Sequence, residues 1–501
     1  MEERYIVALE IGSSKIKGAV GTVDTAGALS VKSVEEEKLS DGVRYGCIRN
    51  VVETTNAIRS VISRLEQREA QRKVTGVYVS VGGRSLNSQA KEIERRFATE
   101  TEITMEMISD IINDALNQPL HERTIVCVTP REFRVDKAPT TRAVGMMGSH
   151  ISARLNLISC RNQLMRNLHN VLSERLQLKV QDVFVRQLAE ADLVLFSEEK
   201  RLGCMLVDFG AETTAVSIYK NGVLEYLTTI PMGSRNITRD ITALNHLEER
   251  AEELKIMGGN ALPTTEQNVV YNNAAADYSQ INNYVAARAG EIIANINEQL
   301  KYAGFNAEKL SGGIIIVGKG AKLNGFNQRL ENMTGMKVRV GAPTTRIRIN
   351  DGRIQSADAV DVISILSAAA KNNPVECMTR PAPVFTENPR PADPQTIYTT
   401  KTQTAQQTQT TQTSQQTTTS PAAAGTPRQS APAAATEPAR APKTTPVTPQ
   451  APKIEYEVED EPTSTRPQKK SGFSRAWGGL VDRVAKLMTE PIEDDEDDDD
   501  K

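Results

Sequence analysis

Apolar residues cluster early in the chain as Ile6-Val7-Ala8-Leu9, a run that ends on Glu10-Ile11-Gly12-Ser13-Ser14-Lys15. The pattern returns as Cys204-Met205-Leu206-Val207, ending on Asp208-Phe209-Gly210-Ala211-Glu212-Thr213-Thr214. A short continuous apolar run bounded by turn residues predicts a buried strand. A second strand-like run follows each turn, Ile16 to Gly21 and Ala215 to Tyr219, so the repeated unit reads strand, turn, strand. One such hairpin is usually just a turn; its duplication makes it informative.

Between the copies the pattern predicts a strand at Val77–Gly83, a helix over Met105–Leu116, strands at Ile125–Pro130 and Ala153–Ser159, a helix over Arg161–Leu176 and a strand at Val183–Val185. About eighty residues, from Gly83 to near Ser159, suffice for a small α+β subdomain. Beyond the second hairpin, a strand at Leu224–Ile230 meets Pro231-Met232-Gly233-Ser234, where a helix begins, and helical patterns run through Ala251–Ile256 and Tyr284–Tyr302. A strong strand, Gly313–Val317, ends at Gly318-Lys319-Gly320-Ala321. In open α/β sheets, ligands sit at the carboxyl ends of such strands, so this turn is a third candidate contact beside the two hairpins.

The chemistry of the hairpins suits phosphate. Gly12 and Gly210 let backbone approach closely, hydroxyls and N–H groups donate to phosphate oxygens, and the carboxylates of Glu10 and Asp208 are placed to hold magnesium through water. Composition changes the picture only towards the C-terminus. The 501-residue chain is 39% hydrophobic and 25% charged, but from about Arg380 to Lys470 it turns to Pro, Thr, Gln, Ala and Ser and is expected to be disordered. The net charge of -3 hides eight consecutive acidic residues, Glu493 to Asp500, so the remainder is mildly basic. No basic, aromatic-interleaved patch appears, which argues against a nucleic-acid partner. Five scattered cysteines lack metal or redox spacing and fit a reduced cytosolic interior, and the four dispersed histidines suggest surface or capping roles. Neither a signal peptide nor a spanning run is expected.

Near the C-terminus, Phe473, Trp477, Leu480, Val481, Val484, Leu487 and Met488 follow helical spacing and form one apolar stripe, with Lys469 and Lys470 preceding it. Such a helix can lie in a membrane interface with its basic edge at anionic headgroups, or dock on protein. The disordered tether, with a reach on the order of 50 Å, favours the membrane, because a loosely held helix gains little from self-docking. Gly478 and Gly479 each weaken helicity by about 1 kcal/mol, so the helix is expected to form on binding. The acidic tail either moderates attachment, recruits a basic partner or is a quiet solvated end.

The order of these features, two hairpins, the Pro231-Met232-Gly233 corner, the Ala251–Ile256 helix and the late Gly-x-Gly-Ala turn, resembles that of actin-like ATPases. The segment Val144-Gly145-Met146-Met147-Gly148-Ser149-His150-Ile151-Ser152-Ala153-Arg154-Leu155 is similar to that of the bacterial cell-division family FtsA, which carries an extra subdomain at this place. The resemblance covers about Glu3 to Lys371, extended to the end by the terminal helix. It implies an α/β, two-lobed actin-like (ribonuclease H-like) fold with an inserted α+β subdomain, then a disordered tether and a terminal amphipathic helix.

The implied boundaries are lobe 1 at 1–83, the insert at 84–160, lobe 1 again at 161–200, lobe 2 at 201–245, and its accessory part at 246–308. Lobe 2 resumes at 309–345, a lobe 1 closing helix occupies 346–375, the linker 376–470, the membrane helix 471–490 and the acidic tail 491–501.

By the same resemblance ATP and Mg2+ are the cofactors. Gly12, Ser13, Ser14 and Lys15 would form the first phosphate loop, and Asp208, Gly210, Thr213 and Thr214 the second, with Asp208 and Glu10 at the metal. Gly233 would lie near phosphate or ribose, Glu252 and Lys255 near ribose or adenine, and Gly318, Gly320 and Ala321 against the adenosine. A solvated helix face is the alternative for Glu252 and Lys255. The family also implies self-association into filaments, binding of the tubulin-like FtsZ and other division proteins, and a peripheral place on cytoplasmic membrane lipids at the division site.

Several residues depart from the actin-like pattern. Glu10 replaces an aspartate, Glu212 adds charge where a glycine is common, and Lys319 replaces a small residue. Arg186-Gln187 stands where a water-positioning glutamate is often found. Gln187 is then the remaining candidate to orient water, and hydrolysis is expected to be slow or absent. An actin-like pilus-assembly ATPase is the nearest rival reading, since it shares the early insert. A small-molecule kinase lacks a marked substrate pocket here, and an Hsp70-type chaperone would carry a folded substrate domain in place of the tether.

Overall fold

The computed structural model describes residues 3–140, 142–263 and 277–380. The expected tether, the amphipathic stripe from Phe473 to Met488 and the acidic tail lie outside the described residues. Within them, no helix is long and apolar enough to cross a membrane.

Two sheets share one topology. In the first, β1 (Arg4–Ile11), β2 (Lys15–Val23) and β3 (Leu29–Lys38) form an antiparallel meander. β4 (Gly76–Val81) then pairs parallel with β1, and the later strand Lys179–Val185 pairs parallel with β4. The second sheet repeats this arrangement with the meander Cys204–Phe209, Thr214–Lys220 and Val223–Ile230, followed by the parallel strands Ile314–Val317 and Val338–Val340. Counted from each meander's first strand, the second sheet has the order 3-2-1-4-5, and the first has that order with a sixth, short strand, Arg348–Ile349, paired parallel with β3 at its edge. The two-lobed actin-like, ribonuclease H-like fold expected from the paired hairpins is therefore present, and each hairpin turn lies at the carboxyl end of its lobe's central strand.

Helix α1 (Val51–Arg68), which the sequence reading did not single out, starts at Asn50, whose side chain accepts the Glu53 N–H. It buries Ala57, Ile58, Val61 and Leu65 against the first sheet. Gly18 on β2 makes that approach possible, because a Cβ there would stand 2.6 Å from the Val61 side chain. The closing helix Val360–Lys371 buries Val362, Ile363, Ile365, Leu366 and Ala369 in the same core.

The insert is a separate antiparallel sheet of Asn87–Glu102, Arg123–Val135, Met147–Arg161 and the short Ala138–Thr140, covered by a helix at Met105–Leu116. Ile108, Ile111, Ile112 and Ala115 from that helix fill its own small core. Asn87–Glu102 is mostly exposed because it is an edge strand, and its polar sequence gave no apolar run to read. The helix expected over Arg161–Leu176 is α-helical only over Asn162–His169 and widens into a π-helical segment at Asn170–Arg175. The long helix of lobe 2 begins at Tyr278, one turn and a half before the apolar pattern suggested, because Asp277 caps it by accepting from the N–H groups of Ser279 and Gln280.

Candidate functional site

A cleft of about 880 Å³ opens between the lobes where the carboxyl ends of their parallel strands converge. The first hairpin turn supplies Gly12, Ser13, Ser14 and Lys15 to its wall. In that turn the Gly12 N–H donates to the Lys15 carbonyl at 3.1 Å. The second hairpin has the same closure, with the Gly210 N–H donating to the Thr213 carbonyl at 2.9 Å, and it contributes Asp208, Gly210, Ala211 and Thr213. Thr214 does not line the cleft; its hydroxyl donates to the Met232 carbonyl and ties the turn to the next segment.

Gly233 stands behind the second turn, where a Cβ would meet the Ala211 backbone at 2.4 Å, so the chain can pass only as glycine. From there the helix Ser234–Thr242 starts, its Ser234 and Arg235 N–H groups donating to the carbonyls of Gly210 and Ala211. Ser234 and Arg235, rather than Gly233, reach the cleft wall. The third turn brings in Gly318, Lys319 and Gly320, while Ala321 lies beneath the surface. Gly318 has φ of +90°, and a Cβ on it would strike the Phe209 carbonyl at 2.5 Å, which fixes glycine there twice over.

Glu252 and Lys255 both line the cleft, from the helix Glu248–Gly258. Lys255 is no solvated face residue: only 6% exposed, its ammonium donates to Thr238 Oγ1 at 2.9 Å, Glu252 Oε2 at 2.7 Å and the Ser234 carbonyl at 3.2 Å. Burial lowers its pKa, and Glu252 partly offsets that.

The floor of the cleft is ionic. Arg186, the first residue of the helix Arg186–Val194, extends one guanidinium nitrogen to Glu10 Oε1 at 2.8 Å and another to Asp208 Oδ2 at 2.8 Å. Glu190, one helical turn on, stands 3.8 Å from its Nε. Burial pushes the Glu10 carboxyl up to about 7 against the pull of Arg186, and it raises Glu190 and Asp208 in the same direction. Lys17, almost wholly buried on β2, pairs with Asp361 and donates to the Asp358 carbonyl at 3.1 Å. At the rim, Lys15 and Lys319 both hold Glu36, at 2.7 and 3.1 Å. Burial alone would raise that carboxyl, but the two ammonium groups outweigh it and hold it at about 2.

Three expectations change here. Gln187 does not line the cleft: it is 1% exposed, and Arg186 and Glu190 line the opening instead. The one local sign of Arg186 in the sequence is its i, i+4 spacing to Glu190. Glu212 does not add charge beside the phosphate loops either. Its carboxylate turns away from the cleft and is fully enclosed by Arg44, Arg235 and Arg239.

Magnesium at Glu10 and Asp208 is the third. Both carboxyl groups already share the Arg186 guanidinium, which engages one oxygen of each. An arginine thus stands between these acids, where magnesium was expected.

Comparison with known proteins places these features in context. Residues 205–364 match the model of the cell division protein FtsA family, and residues 83–159 match that of the SHS2 domain inserted in FtsA. A relative from Porphyromonas gingivalis, named cell division protein FtsA, is 32% identical over 365 residues, covering 71% of this chain and 74% of the relative. Another of that name, from Neisseria meningitidis, is 28% identical over 386 residues, covering 74% and 91%. Among solved structures, one titled as the PilM-PilN type IV pilus biogenesis complex aligns with a TM-score of 0.52 at 13% identity, covering 73% of this chain and 98% of the other. At that identity it speaks for the shared fold alone.

Proposed function

Since this chain belongs to the FtsA family of cell-division proteins, we propose that it is an ATP-binding, filament-forming protein that ties FtsZ to the cytoplasmic membrane at the division site. One observation supports the nucleotide reading above others: two hairpin turns with the same glycine closure face one cleft, and a third glycine turn stands beside them. Backbone N–H groups and hydroxyls of Ser13, Ser14 and Thr213 would hold the phosphates, Gly12 and Gly210 would leave room for their close approach, and the turn at Gly318–Gly320 would carry the flat adenosine on bare backbone. Lys255 and Glu252 would bound the ribose side. Turnover is slow or absent in this reading, because Gln187, the remaining candidate to orient water, is off the cleft wall.

Nucleotide would favour the closed arrangement of the lobes and so promote filaments, as far as it binds that arrangement better than the open one. Many weak terminal helices on one filament would then hold the membrane together, since avidity multiplies marginal affinities. The pilus-assembly alternative keeps only the fold in its favour.

The test is reconstitution. FtsZ filaments should sediment with anionic vesicles when the full-length protein and ATP are present, and removal of residues 471–490 should abolish this. FtsZ left in the supernatant with the full-length protein, or retained by the truncated one, would defeat the tether.

A further inference from the structure

We propose that the Arg186 guanidinium takes the place of a divalent cation in this cleft, so that the nucleotide binds without magnesium. The inference rests on reading the cleft as a nucleotide site. Its geometric basis is the fork described above, in which one guanidinium spans the two carboxyl groups best placed to face a bound triphosphate, Glu10 from lobe 1 and Asp208 from lobe 2, each at 2.8 Å.

Several features make this a built arrangement. Arg186 directly follows the strand Lys179–Val185, so its backbone is fixed at the same crevice into which both hairpins open. The side chain is 14% exposed and lines the cleft, leaving the guanidinium sheltered yet still presented to it. Gly82, at the end of β4, lies against it, where even a Cβ would sit 3.5 Å from the guanidinium carbon.

A hydrated magnesium ion needs carboxylate oxygens free to accept from its water shell. Here a planar, permanently charged group donates to Glu10 and stands in an ion pair with Asp208 instead, and a guanidinium is well matched to phosphate through its remaining N–H groups. Lys17 adds a second fixed cation in the same wall, paired with Asp361. Two cations facing the bound nucleotide are therefore already part of the chain, each held in place by carboxyl groups of the same wall.

A fluorescent ATP analogue titrated into the full-length protein, once in excess EDTA and once in millimolar magnesium chloride, reads this out directly. The expected affinities agree within about twofold. In Arg186→Met, binding in EDTA should fall by about tenfold or more and recover when magnesium is added, while Arg186→Lys should retain more of the EDTA binding than Arg186→Met. A purely structural arginine would not create that dependence on a chelator. Wild-type binding seen only with magnesium overturns the inference and leaves the nucleotide reading standing; binding in neither condition overturns both. Should Arg186→Met fail to fold, the wild-type comparison still decides the matter.

Discussion

Replacing Glu212 by alanine is expected to cost about 3–5 kcal/mol of stability, the usual penalty for removing one partner of a buried ionic cluster. The Glu212 side chain has no exposure at all. Its carboxylate forms an ion pair with Arg44 Nε at 2.9 Å and accepts from Arg239 at 3.0 Å, Arg235 at 3.3 Å and the Tyr45 N–H at 2.7 Å. Arg44 and Tyr45 belong to lobe 1, whereas Glu212 and the other two arginines belong to lobe 2, so this one residue joins the lobes from behind the phosphate loops. Truncation leaves three guanidinium groups around an emptied site. Asp41 still holds Arg44 at 2.9 Å and Glu248 stands 3.5 Å from Arg235, which keeps the loss towards the lower end. Urea unfolding of the two proteins checks it; a difference below about 1 kcal/mol, the scale of an exposed pair, would show that the cluster is solvated.

The second large effect is a dependence on pH. Glu10 has its carboxyl pushed up to about 7 from an ordinary 4.5, first by burial, with Arg186 opposing and Asp361 reinforcing the rise. The folded protein thus holds a proton that the unfolded chain releases near its ordinary pKa. Stability from this group is full below that value and is lost as pH rises to about 7, a fall on the order of 3 kcal/mol. Unfolding free energies measured from mildly acidic to mildly alkaline buffer should decline across that window, and Glu10→Gln, which cannot titrate, should flatten part of the slope. Glu190 and Asp208 are raised in the same sense, so some slope remains in the variant. A profile that rises with pH, or one that Glu10→Gln leaves unchanged, would contradict the assignment.

What the sequence made legible was local. A glycine turn after an apolar strand announces itself within ten residues, and both hairpins are where Gly12 and Gly210 placed them. The helix Met105–Leu116 is equally self-contained, with its buried face set by spacing and its start set by the Thr104 cap. Residues whose meaning depends on distant partners stayed hidden. Arg186 looks like any basic residue at a helix start until folding brings Glu10 and Asp208 to it from two different lobes. Lys17 and Asp361 are likewise far apart in sequence, and no periodicity links them. Glu212 misled for the complementary reason: its position beside a phosphate loop was clear, but the direction of its side chain is decided by three arginines, two of them on a helix that starts only after Gly233.

The claim on which the rest depends is that the interlobe cleft receives an adenine nucleotide, and photolabelling with 8-azido-ATP in the presence of magnesium addresses it most directly. The account expects the label on the peptide carrying Gly318, Lys319 and Gly320, with labelling suppressed by unmodified ATP. Label confined to other peptides, or labelling that ATP does not suppress, would contradict it.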